Sequence, residues 1–439
     1  NIGSVTPFSN NATICSFPLF CQDNELPTGM DVEQMDRLFA TANAQQRVDI
    51  PTAVGFCMYI RRDCLQDAGL FDELRFGRGY GEENEFCMRS ATRGWRHLLT
   101  GDVFVYHKGG VSFAETQSEH QRYGHAALLR LFPDYDWVIQ QHVAADPAAR
   151  LRFAAEAALV RDSALPVVLM VNHGRGGGSQ RHLQELADSL QDRAHVYILQ
   201  PQGSGLRLCS MADGGQRAAL YFSLQYGNGL LLQTLRALGV VHVHYHHFID
   251  LSDAVLQLPE ELGCTYDITV HDFYLACPQV TLADVAGRYC GAPDASGCNG
   301  CLAQRPVAGV EDITQWREQH VQMLGGAGRV FVPSLDTLQR ISAYFPQVKG
   351  WVLAAHEADN WPAVRVPALD EEEPLRVLVL GALSPFKGAD VLEEVALQAR
   401  AQRLPLEFHL LGFAYRKLRT APVSALHAHG WYHEGQVQE

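Results

Sequence analysis

At 439 residues the chain is too long for one ordinary hydrophobic core, and two or three domains are expected. Its 47% hydrophobic and 19% charged residues read as globular rather than disordered. The formal net charge of −14 argues against non-specific nucleic-acid binding, and no apolar run reaches the length of a membrane span.

Residues 1–125 are rich in strand and loop signals, with "TAVGFCMYI" (52–60) expected as a buried strand. Residues 126–163 carry "AALLRLFP" and "DPAARLRFAAEAALVRD", which read as a helical connector. From residue 166 the texture changes to a short apolar run, "PVVLMV", then "NHGRGGG", then "SQRHLQELADSLQ". In the last stretch Leu183, Leu186, Ala187 and Leu190 share one helix face, so the order is strand, glycine loop, helix. "VVHVHYHHF", "YDITVHDF" and "RVFVPS" continue the series with continuously apolar strands, as in a parallel sheet covered on both faces. A similar unit follows the acidic linker "VPALDEEEP": "LRVLVLG", the loop "ALSPFKG", the helix "ADVLEEVALQARAQ" and the strand "LEFHLLG". This pattern predicts an α/β protein with two doubly wound domains facing each other, the second incomplete. The chain starts at Asn1 and stops at Glu439 inside such patterns, so it is expected to be a piece of a longer protein.

The stretch "RGYGEENEFCMR" crowds Glu82, Glu83 and Glu85 into four positions. An isolated Glu has a pKa of about 4.3. Crowding raises at least one of the three unless a cation lies near. A divalent metal would relieve it, with His107 as a ligand; a solvated acidic helix start, favoured by the helix dipole, is the plainer alternative. Further on, the glycine loop at Gly176, Gly177 and Gly178 lets backbone N–H groups approach an anion, or is a bare tight turn. His271 and Asp272 end an apolar strand, where ligands bind in open sheets; a structural histidine fits equally. His242, His244 and His246 alternate onto one strand face but lack an acidic or cysteine partner nearby, so a polar strand end is favoured over a metal site. Lys387, followed by Gly388 before a helix, can neutralise a diphosphate or be an ordinary loop lysine.

The chain has eleven cysteines, most of them single and in apolar surroundings, as expected of buried free thiols in a reducing compartment. Only Cys277, Cys290, Cys298 and Cys301 cluster, ending in a CxxC. Four thiolates suit a structural zinc with no open position for catalysis; four separately packed thiols are the alternative.

"TPFSNNATICSFP", "PTAVGFCMYIRRDCL", "GLFDELRFGRGYGEENEFCMRSATRGWRH" and "VFVYHKGGVSF" closely resemble the second half of a bacterial family 2 glycosyltransferase with the GT-A fold. The resemblance covers nearly all of residues 1–125. It implies that Glu83 is the general base of an inverting transfer, supported by Glu82. It also implies that Asp72 shapes the acceptor side and that His107 meets a divalent metal (Mg or Mn) or the donor diphosphate. The family's nucleotide-binding strand and Asp-x-Asp motif precede this region, so the segment alone is not expected to turn over.

Residues 166–439 resemble a retaining family 4 glycosyltransferase with the GT-B fold, through the strand-glycine-helix start, "VHDFYLACP", "VFVPS", "AAHEAD" and "VLGALSPFKGADVL". That match implies that Gly176, Gly177 and Gly178 line the acceptor side of the cleft. It places His271 near the reacting sugar and Lys387 at the donor phosphates. The family's usual arginine ahead of the lysine is replaced by Ala382, and its later Glu-rich donor loop lies beyond residue 439.

The expected organisation is therefore as follows: 1–125 an acceptor-side GT-A half, 126–163 a connector, 164–358 a GT-B N-terminal Rossmann-like domain, 359–374 a linker, and 375–439 the start of a donor-binding domain. The implied partners are a nucleotide-sugar donor and a glycan or lipid-linked acceptor, without nucleic acid, as in surface polysaccharide synthesis. The expected place is the cytoplasm, with peripheral association at the inner membrane face. The alternative is a non-catalytic glycan-binding or scaffolding protein made of degenerate transferase modules.

Overall fold

The computed structural model describes residues 1–77, 80–108, 117–212, 215–225, 227–356 and 373–432. The expected linker 359–374 falls almost wholly outside the described residues, as do Arg78, Gly79 and residues 109–116. The chain forms two compact units, Asn1–Asp267 and Ile268–Glu439.

The first unit opens with a four-stranded mixed sheet. β1 (Ile2–Phe8) and β4 (Arg96–Phe104) run parallel at its centre; β2 (Arg47–Ile50) and β3 (Tyr59–Ile60) are antiparallel on either side, in the order β2-β4-β1-β3. Phe8, Phe17, Phe39 and Phe104 meet in one aromatic core, with Phe39 between the other three rings. The run "TAVGFCMYI" is not the buried strand its composition suggests. Only Tyr59 and Ile60 pair with β1, and Tyr59 is exposed. Gly55 interrupts the run and brings its backbone against the Glu83 side chain, so the segment turns instead of extending.

A second sheet in this unit has β5 (Val167–Val171) between β9 (Val240–Tyr245) and β6 (His195–Gln202), all parallel. β7 (Gly205–Ala212) and β8 (Gly215–Ser223) then add antiparallel hairpins on the far side of β6. That departs from the all-parallel expectation. The helix Gly178–Leu190 follows the glycine loop and buries Leu183 and Ala187, with Leu186 and Leu190 packed beside them, on the face its spacing requires.

In the second unit β10 (Thr265–Thr269, begun at the end of the first), β11 (Val330–Val332) and β12 (Trp351–Leu353) are parallel. So are β13 (Leu375–Leu383), β14 (Leu406–Ala414) and β15 (Leu426–Gly430), with the helix Ala389–Ala401 buried on their core through Ala389, Ala396 and Ala399. Among the described residues no helix is long and apolar enough to cross a membrane.

The expected connector is a structural member of the first unit. The helix Ala149–Asp162 buries residues all round its circumference. Leu151 and Ala155 join the aromatic core of the first sheet. On the other side Phe153 meets the Tyr197 ring edge-on at 5.9 Å, and Tyr197 Oη donates to Glu156 at 3.1 Å. That two-sided packing is why the compact unit runs past residue 164. Arg152 is its most constrained side chain. It is 1% exposed, pairs with Asp146, and lies 4.1 Å over the Phe20 ring, while Nε and Nη1 have no hydrogen-bond partner. Burial lowers its pKa to about 10.

An under-satisfied buried cation is stabilised less by its charge than by its packing. Asp146→Ala, which strands the cation, should destabilise the protein by about 3 kcal/mol. Arg152→Met, which keeps the volume and removes the charge, should be neutral or stabilising in chemical denaturation. Equal losses from both changes would contradict this reading.

Candidate functional site

The three crowded glutamates have separate fates. The helix Glu82–Ala91 starts from Gly81, whose φ of +118° is left-handed and whose Cβ would meet the Phe76 ring at 3.0 Å, so glycine is required there. Glu85 faces the interior, 4% exposed, and is neutralised by Arg89 through a fork at 2.7 and 2.9 Å. Arg89 also donates to the carbonyls of Leu70, at 2.9 Å, and Ala68. Glu85 thus anchors the helix.

Glu82 and Glu83 remain as a carboxyl pair with no ion-pair partner among the described residues. Burial raises the Glu83 pKa, and the neighbouring Glu82 raises it further by charge and by a hydrogen bond between the two side chains. Two carboxyl groups sharing a hydrogen bond need one proton between them. Glu83 lies over Gly55, where a Cβ would stand 3.6 Å from its carboxyl carbon, and the Gly81 N–H donates to it at a long 3.4 Å. One oxygen of Glu82 is buried without a hydrogen-bond partner. Tyr135 lies close enough for the Glu83 charge to help push its own pKa up to about 12, behind the larger effect of burial.

His107 and Asp72 do not join this pair. His107 Nδ1 is bound to the Asn11 carbonyl at 2.6 Å, its ring stacks on Phe56 at 5.2 Å, and its N–H donates to Asn10 Oδ1. Among the described residues Glu82, Glu83 and His107 do not gather into a three-ligand metal group. Asp72 caps the short helix Glu73–Phe76 and pairs with Arg75, which holds its carboxyl below the usual range. Its charge is committed locally.

In the second sheet the glycine loop has the expected form. Gly176 and Gly177 have φ of +71° and +84°, and a Cβ at Gly176, Gly177 or Gly178 would meet nothing within 4 Å. The loop backbone is thus open to a ligand, and no side chain caps the helix Gly178–Leu190. Two neighbours on its flank were not singled out in the sequence. His173 Nδ1 accepts the Arg175 N–H at 3.1 Å, which leaves the proton on Nε2, 3.0 Å from Ser179 Oγ. Arg175 itself holds Asp250 through two bonds of 2.9 Å. Gly174, Arg175, Gly203, Ser204, Asp250 and Ser252 line a cavity of about 430 Å³ here. His247 Nδ1 accepts two backbone N–H groups at 3.0 Å, and its ring lies 4.8 Å from His173. The alternating histidines divide: His242 bonds Thr265 and faces Asp267, while His244 and His246 are buried side by side.

In the second unit His271 follows β10 and lies 4.6 Å from the His356 ring. Asp272 Oδ1 accepts the Tyr274 N–H, which fixes a turn. Lys387 is exposed and ends a 3₁₀ turn capped by Ser384; Gly388, with φ of +78°, leads directly into the helix Ala389–Ala401. Ala382 lies on the exposed side of β13.

No family model matches the chain, and no curated protein matches it by sequence. Solved structures that it is similar to include the GtfA/B complex, 9% identical over 62% of this chain and 77% of that one, with a TM-score of 0.36. TarM is 8% identical over 62% and 78%, with a TM-score of 0.33. A variant of S. aureus TarM, solved with Fondaparinux, alpha-GlcNAc-glycerol and UDP, is 9% identical over 68% and 69%, with a TM-score of 0.27. Likenesses this distant carry no argument about activity.

The carboxyl pair has a testable signature. An acid whose folded pKa is raised costs stability as pH climbs from the unfolded value through the folded one. Glu83→Gln should therefore raise the melting temperature at pH 7 and change it little near pH 4. Calorimetry showing a loss at pH 7, or the same gain at both, would contradict the raised pKa.

Proposed function

We propose that the chain is a glycosyltransferase that moves sugars from nucleotide-sugar donors to a glycan or lipid-linked acceptor. In this reading the first module is inverting and the second retaining. The observation that supports the first module best is the half-buried Glu83 carboxyl, raised in pKa by burial and by Glu82 and without an ion pair among the described residues. A base works best when its pKa lies near the working pH, and an alcohol must lose its proton as it becomes a nucleophile. In the proposed step the acceptor oxygen attacks the anomeric carbon of the donor. The C–O bond to the diphosphate breaks, its electron pair leaves with the phosphate, and Glu83 takes the hydroxyl proton. Glu82 holds that carboxyl in a proton-ready state. Among the described residues Glu82, Glu83 and His107 do not converge on a site for Mg or Mn.

For the second module, the open glycine loop and the polar cavity beside it suit a hydroxyl-rich acceptor. Lys387, exposed next to a helix start, suits the donor diphosphate. His271 and Asp272 would stand at the reacting sugar. Ala382 leaves Lys387 without a neighbouring arginine, which favours the second reading, a saccharide-binding module without turnover. Surface polysaccharide assembly and a peripheral place on the membrane follow from the resemblance alone.

A donor screen on the full-length protein, read by nucleotide release, separates the readings. Glu83→Gln should lower release by the first module about 10²–10⁴-fold. Lys387→Ala should weaken donor binding by the second and leave the first unchanged. Wild-type release in both variants with every accepted donor would refute the site assignments, and no release with any donor would favour the binding role.

A further inference from the structure

The segment after β10 gathers four cysteines that neither candidate site uses. The Cys277 N–H donates to the Phe273 carbonyl and its own carbonyl accepts from Val280, both at 2.8 Å, which makes a compact double turn. The Cys290 N–H returns to the Leu282 carbonyl at 2.9 Å and folds the intervening loop back on itself. Cys298 and Cys301 lie one turn apart in the helix Ala295–Gln304, which Asp294 caps through the Gly297 N–H. Arg317 ties the two halves together: Nε donates to the Ala276 carbonyl at 3.0 Å, and Nη2 lies 3.4 Å from Cys298 Sγ.

These thiols differ from the chain's packing cysteines. Cys15, Cys64, Cys87 and Cys209 are fully buried, as small apolar residues are. Cys277, Cys290, Cys298 and Cys301 are only half-buried, and none is in a disulfide. They are also neighbours. Arg317 links the Ala276 carbonyl, beside Cys277, to the Cys298 sulfur.

We propose that Cys277, Cys290, Cys298 and Cys301 bind one structural zinc ion as four thiolates. The CxxC pair, one helical turn apart, supplies one chelating half and the Cys277–Cys290 loop the other. The sulfurs are open as placed: among the described residues no three of them lie within 4.8 Å of one another. Neutral thiols have no attraction that would draw them closer. A tetrahedral shell with Zn–S bonds of about 2.3 Å sets sulfurs about 3.8 Å apart. Binding therefore tightens the loop and releases the thiol protons to solvent. The tightened loop also leans on the turn that carries Lys387, since Phe386 packs at Gly287 and lies 6.0 Å from the Arg305 guanidinium. The metal assignment stands independently of the transferase reading, because its readout is metal content.

The test is elemental analysis of the purified full-length protein. About one zinc per chain is expected, kept in Cys57→Ser and lost in Cys298→Ser and Cys301→Ser. Replacement with Co²⁺ should give the intense visible bands of a tetrahedral thiolate site. Should the variants fail to fold, the wild type decides: a thiol-blocking reagent should release its zinc stoichiometrically. A chain that neither carries zinc nor takes up added Zn²⁺ or Co²⁺ overturns the proposal. So does unchanged zinc in folded serine variants, or a mass lower by two hydrogens that reveals a disulfide.

Discussion

Two carboxyl groups in contact cannot both ionise without cost, and the account of the first module depends on that constraint at Glu82 and Glu83. The surrounding structure keeps it in force. Arg89, on the same helix, is used up on Glu85 and on two backbone carbonyls. Gly81 turns the chain so that the helix begins at the pair, and Gly55 lets backbone pack against the Glu83 carboxyl. The helix dipole works the other way, since a helix N-terminus favours negative charge. Burial and the second carboxyl outweigh it, and Glu83 holds its proton to higher pH than an exposed glutamate.

A second constraint fixes what lies around that site. The helix Ala149–Asp162 is buried on both sides, against the aromatic core of the first sheet and against β6 of the second. It cannot slide relative to one without disturbing the other, because Arg152 is locked on Asp146 and Phe20 while Glu156 holds Tyr197. Its low amphipathicity, with alanines and apolar residues on every side, is what lets it serve two cores at once.

Much of the fold was legible in the chain. β5, β9, β10, β11, β13 and β14 are short apolar runs beside glycine loops or helix starts, the pattern of parallel-sheet strands, though β13 leaves one face exposed. β3 was misread because apolar composition alone does not separate a strand from an apolar turn, and Gly55 decides in favour of the turn. The antiparallel β7 and β8 were invisible because their pairing depends on β6, a tertiary partner. The crowding of Glu82 beside Glu83 could be read from their spacing. The neutralisation of Glu85 by Arg89 follows from an i, i+4 spacing that was available to read. The Arg175–Asp250 pair was not, since its partners lie far apart in sequence and meet only through the β5–β9 pairing.

The most direct test of the central claim is a ¹³C NMR titration of the glutamate side-chain carboxyl carbons, with Glu83 assigned by its disappearance in Glu83→Gln. The account predicts a Glu83 midpoint clearly above the usual glutamate value of about 4.3 that falls when Glu82 is changed to Gln. A midpoint at or below that value, or one indifferent to Glu82, would contradict it.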